Sequence, residues 1–110
     1  MIQPAIVGRV PGALFTCDTY AIAPGDSVQF TDDSSYDPTS WEWDFDDGSP
    51  HDTTQNPSHV YDAEGSYNPS LKATNSYGYD TYVLATAIVV SSHTDLSTYT
   101  EVDPRSKITV

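Results

Sequence analysis

Trp41-Glu42-Trp43-Asp44-Phe45-Asp46-Asp47-Gly48 is the stretch on which the fold turns. Its aromatics recur at every second position with acids between them. An extended chain therefore puts Trp41, Trp43 and Phe45 on one face and Glu42 and Asp44 on the other. A helix would scatter the same rings around its circumference. The pattern is that of a half-buried strand, and Asp47-Gly48 after it supplies the positive-φ chemistry of a tight turn.

The same period of two runs outward in both directions. Toward the N-terminus, Ser27 to Asp32 alternates Val28 and Phe30 against polar neighbours, behind the turn signal Ala23-Pro24-Gly25-Asp26. Before it, Ala13, Phe15 and Cys17 share one face of an opening strand. Toward the C-terminus, Asn56 to Tyr61 resumes extended chain and Gly65 breaks it. Tyr67 to Thr74 then turns Tyr67, Leu71 and Ala73 inward. Asn75-Ser76-Tyr77-Gly78 forms a turn into a long last strand from Tyr79 to Val90. No dozen residues keep an i, i+3, i+4 apolar pattern, so the chain reads as all-β, with turns roughly every 8 to 12 residues as in a sandwich.

With 110 residues, 37% of them hydrophobic, the chain holds one domain and one core. Sixteen acidic residues face four basic ones, and the formal charge of −12 repels nucleic-acid phosphates and anionic membranes. Cations such as Ca²⁺, basic proteins and neutral glycans remain as partners. Cys17 is the sole cysteine, so no internal disulfide holds the fold. Met1 to Pro11 lacks the pattern of a secretory signal, and the apolar run Tyr82 to Val90 is too short for a membrane helix, so no membrane insertion is expected.

Several separated motifs in order carry a resemblance. The opening octet resembles the W-x-W-D-F-G-D-G signature of the PKD (polycystic kidney disease) domain family. Gln55-Asn56-Pro57-Ser58-His59-Val60-Tyr61 is similar to its N-P-x-H-x-Y, and Gly65-Ser66-Tyr67, Leu71-Lys72-Ala73-Thr74-Asn75 and Gly78 follow its later pattern. The resemblance implies an Ig-like two-sheet antiparallel β-sandwich over residues 12–90. An N-terminal extension, 1–11, would precede it, and a linker plus C-terminal strand, 91–110, would follow. It also implies a non-catalytic spacer or adhesion module, extracellular or on a cell or virion surface, making protein or glycan contacts. Trp41, Trp43, Asp44, Phe45, Asp47, Gly48, His59, Tyr61, Gly65, Tyr67 and Asn75 are then fold-making residues, with Tyr67 placed for a corner hydrogen bond. Two positions depart from the family. Asp46 stands where glycine is usual, and Asp tolerates φ > 0 better than most residues. Pro69 stands in a strand, where it removes a ladder donor and predicts a bulge or broken pairing at Asn68-Pro69.

Candidate sites are sparse. Asp32, Asp33, Asp37 and Asp47 are the candidate Ca²⁺ ligands in the densest acidic region, because Ca²⁺ takes six to eight oxygens. Asp44-Phe45-Asp46-Asp47-Gly48 places its glycine one residue too early for an EF-hand, and no other cofactor is indicated. His51, His59 and His93 lack zinc spacing, and no nucleophile, P-loop or metalloprotease motif occurs. Tyr36, Tyr77 and Tyr79 are the candidate ligand-contact aromatics, able to stack on sugars or anchor a protein. An auxiliary Ca²⁺- or glycan-binding role beside a secreted hydrolase is an alternative reading. Another is self-assembly into a filament, sheath or virion decoration. For that, residues 95–110, ending in Lys107-Ile108-Thr109-Val110, would join a second copy; this end also weakly resembles the start of a lectin-like jelly-roll domain.

Overall fold

The computed structural model describes residues 8–92, which carry nine strands and no helix. They are β1 (Phe15–Cys17), β2 (Ala21–Ile22), β3 (Ser27–Asp32), β4 (Ser40–Asp44), β5 (Ser58–Val60), β6 (Gly65–Tyr67), β7 (Ser70–Asn75), β8 (Gly78–Val83) and β9 (Ile88–Val90). The C-terminal strand and the exchange through residues 95–110 lie outside the described residues. So does His93.

Three ladders make the sandwich, ordered β1-β3-β5, β4-β7-β8 and β2-β9-β6. All pairings are antiparallel except β2 with β9, which is parallel, a departure from the expected uniformly antiparallel sheets. The second and third ladders share two chain passages, since β6 leads through Asn68-Pro69 into β7 and β8 leads through residues 84–87 into β9. The predicted interruption at Pro69 is thus a change of ladder. Having no N–H, Pro69 is buried and offers its carbonyl to Leu84 N at 2.9 Å, while Asn68 Nδ2 donates to Leu84 O at 2.9 Å. The two crossings are tied to each other. This also splits the long last strand expected from Tyr79 to Val90 into β8 and β9.

The quoted octet behaves as its alternation dictates. Trp43 and Phe45 are buried, Trp41 packs half-buried against the core, and Glu42 and Asp44 face solvent. Phe15, Val28 and Phe30 from the first ladder meet Trp43, Leu71, Ile88 and Val90 from the other two in one cluster, which also contains Tyr61 and Leu84. Burying each large ring is worth about 1.5–3 kcal/mol. Polar edges of these rings are all satisfied: Trp43 Nε1 donates to Thr54 O at 2.8 Å, Trp41 Nε1 to Asp32 Oδ2 at 3.0 Å, and Tyr61 Oη to Phe45 O at 2.9 Å. Tyr67 makes the expected corner bond, to Ala63 O at 2.7 Å.

After β4 the chain turns through Asp46 at φ 65° and Gly48 at φ 81°. Asp46 manages the left-handed conformation because polar groups fix it on both sides. Its N–H donates to Asp44 Oδ1 at 2.9 Å and its own Oδ2 accepts Asn68 N at 2.9 Å. The aspartate that replaces the family's glycine therefore caps the Pro69 crossing from the far side of the turn.

Candidate functional site

The acidic loops do not converge. Asp32 is committed to the fold: Oδ1 accepts Ser34 N at 3.0 Å, and Oδ2 accepts both Trp41 Nε1 and Gln55 Nε2, at 3.0 and 3.1 Å. Asp47 is equally committed. Its Oδ1 accepts the Ser49 amide and hydroxyl, and its Oδ2 accepts His59 Nε2 at 2.7 Å. Burial pushes the Asp47 carboxyl up, but Ser49 and His59 outweigh it and hold the group below its ordinary 3.8. The His59 ring lies flat on Phe45 at 3.9 Å between centroids, which makes it a packed structural histidine. Asp33 and Asp37 make no side-chain hydrogen bond within the described residues. Among those residues no group of three or more His, Cys, Asp or Glu side chains could hold a metal, so Asp32, Asp33, Asp37 and Asp47 are not brought together as a Ca²⁺ site.

Tyr36 and Tyr77 are brought together. A cleft of about 280 Å³ opens between the Tyr36–Thr39 loop, the β7–β8 hairpin and the incoming chain; Arg9, Tyr36, Asp37, Asn75, Ser76 and Tyr77 line it. Both rings are more than half exposed, 51% for Tyr36 and 62% for Tyr77. The backbone beneath Tyr36 is unusual, with φ 64° at Tyr36 and 54° at Asp37, a region that bulky residues rarely occupy. Such conformations cost about 1–3 kcal/mol each and persist where neighbours over-determine them. Asn75 does so here. Its Nδ2 donates to Tyr36 O at 2.8 Å and to Arg9 O at 2.7 Å, and its Oδ1 accepts Tyr77 N at 2.8 Å. One signature side chain thus fixes the loop, the hairpin and the incoming chain.

Residues 8–11, expected to be an extension, are part of this construction. Pro11 is fully buried, Gly12 bridges Ser35, and Arg9 Nη1 donates to the Tyr36 hydroxyl at 3.1 Å, its guanidinium 5.3 Å from the ring centre. Sequence reading passed over Gly8 and Arg9 because residues 1–11 show no periodicity. The signal available was that Arg9 is one of four cations in the whole chain.

Tyr79 lies elsewhere, on the outer face of β8, with Lys72 Nζ 4.3 Å from its ring centre. On the same face His51 sits between two carboxylates, its Nδ1 2.5 Å from Glu42 Oε2 and its Nε2 3.4 Å from Asp44 Oδ2. The hydrogen bond to Glu42 raises the His51 pKa above its ordinary value, and the same bond lowers that of Glu42. Cys17 is half-buried, and burial pushes its thiol up, away from nucleophilic character.

Comparison with known proteins gives one consistent result. Residues 11–90 match the PKD domain family. A microbial collagenase of Vibrio alginolyticus is 33% identical in an alignment of 91 residues that covers 79% of this chain and 11% of that protein's length. The PKD1 domain of the Vibrio cholerae metalloprotease PrtV is 30% identical with a TM-score of 0.63, over 74% of this chain and 98% of that one. A structure of carbohydrate-binding modules of the β-sandwich superfamily superposes with a TM-score of 0.70 over 78% of this chain and 36% of that one; at 24% identity it shows likeness of fold. No helix among the described residues is long and apolar enough to cross a membrane.

Proposed function

The chain belongs to the PKD domain family, and from that premise we propose that it is a non-catalytic accessory module of a larger secreted or surface protein, holding a neutral glycan in the Tyr36–Tyr77 cleft. The relatives support the accessory role, being domains of a collagenase and a metalloprotease. The single observation carrying the ligand is the cleft itself: two exposed rings beside the carboxylate of Asp37, which has no partner among the described residues. Aromatic faces stack on the apolar faces of sugars, and a carboxylate accepts their hydroxyls. Arg9 and Asp37 bring opposite charges to one cleft, so the pair adds no net charge that would select a charged ligand, whereas the chain's charge of −12 opposes sulfated or uronic polymers.

Native electrophoresis through gels cast with a neutral galactomannan, β-glucan or xylan tests this reading. The full chain is expected to be retarded in at least one of them, and the Tyr36→Ala/Tyr77→Ala double variant to run as in a plain gel. Equal mobility of the two proteins in every gel would overturn it.

A further inference from the structure

We infer that Gly8 and Arg9 belong to the binding site itself as its positioning residues, so that the cleft extends beyond residues 11–90, the part matching the family. This rests on the glycan reading for the nature of the ligand, but its structural content is independent of it. Gly8 passes flat against Tyr77. A Cβ built there would fall 1.8 Å from Tyr77 Cζ and 1.9 Å from Cε2, so no other residue lets the chain pass with the ring in place. The displaced atoms are the end of an exposed side chain, so a substitution moves the ring and leaves the sandwich folded. Arg9 holds the opposite ring through its hydrogen bond to the Tyr36 hydroxyl and its stacking on that ring, while its carbonyl receives the Asn75 amide. Two exposed tyrosines would otherwise sample several rotamers, and ordering them on binding costs affinity. The incoming chain removes that freedom in advance. Arg9 retains further N–H donors that, with the Asp37 acceptor, suit adjacent hydroxyls of a neutral sugar.

The test uses the full chain and its Gly8→Ala, Arg9→Ala and Arg9→Lys variants. Proton NMR reports the Tyr77 and Tyr36 ring resonances and the Asn75 side-chain amide without any ligand, and gel retardation by the retaining polysaccharide reports binding. Gly8→Ala is expected to shift the Tyr77 ring resonances and Arg9→Ala those of Tyr36. Each should weaken retardation about tenfold with an unchanged melting temperature, and Arg9→Lys, which keeps the cation over the ring, should recover part of the loss. If the rings shift as described but even the parent is retarded by no polysaccharide, the positioning role stands and the glycan reading fails. Ring and amide resonances unchanged in both alanine variants, or, where a polysaccharide does retard the parent, equal retardation of the alanine variants, would overturn the inference.

Discussion

Among the described residues two non-glycine segments adopt left-handed backbone, and they do opposite things. At Asp46 the conformation serves the fold. The residue turns the chain out of β4, and its carboxylate caps Asn68 where the chain changes ladder. At Tyr36-Asp37 no ladder depends on the conformation. An aromatic ring is held out to solvent beside Tyr77, and the holding groups come from Asn75 and Arg9. One strained turn closes the protein upon itself and the other presents a surface. Substitutions around the first should therefore act on stability, and those around the second on ligand retention.

The largest effect is expected beside the Asp46 turn. Trp43→Ala empties a site with no solvent exposure and orphans Thr54 O, a loss of about 3–5 kcal/mol by urea denaturation. A loss below about 1 kcal/mol would show that the core is not centred there. Tyr61→Phe removes the hydroxyl on Phe45 O and leaves a buried carbonyl unpaired, an expected loss of about 1–2 kcal/mol. At the other turn the sign reverses. Tyr36→Gly relieves the left-handed strain and should raise stability by about 0.5–1 kcal/mol while abolishing polysaccharide retardation. A destabilised Tyr36→Gly would mean that this loop, too, serves the fold.

The smallest effect belongs to neither turn and is read as pH dependence. His51 is raised above its ordinary 6.5, so its contribution is full below that value and is lost as pH rises through the raised one. Glu42 is lowered from 4.5, so its contribution is full above 4.5 and is lost as pH falls through the lowered value. Both are in place from about pH 4.5 to 6.5. Melting temperature should decline slightly from pH 6 to 8 in the parent, and less so in His51→Gln. Equal slopes would show that the cluster on β4 contributes nothing.

The fold was legible where alternation or backbone chemistry is local. Trp41 to Phe45 announced their faces and Pro69 announced a broken ladder, whereas the positive φ at Asp46 was signalled only by the glycine that the family carries at that position. What Pro69 could not announce was the exchange of partners, because pairing is decided by residues far along the chain. The split between β8 and β9 had no signal either, since Leu84-Ala85-Thr86-Ala87 contains neither glycine nor proline. The acidic loops misled through density. Carboxylates clustered in sequence were each taken by local donors, as Asp32 is by Trp41, Gln55 and Ser34, or left apart. In the cleft, Tyr36 and Tyr77 were visible as exposed rings, but their meeting depends on Asn75, read as a fold residue, and on Gly8 and Arg9, which no pattern marked.

The parallel pairing of β2 with β9 bears on how such a module would carry tension within a longer polypeptide. β2 and β9 lie far apart along the described chain, and Val89 N donates to Tyr20 O and Ser91 N to Ile22 O at 2.8 and 3.0 Å. Parallel neighbours drawn from distant parts of the chain slide along each other and load both bonds at once, whereas antiparallel ones would peel apart bond by bond. Tension applied across β2 and β9 would thus be met by both bonds together.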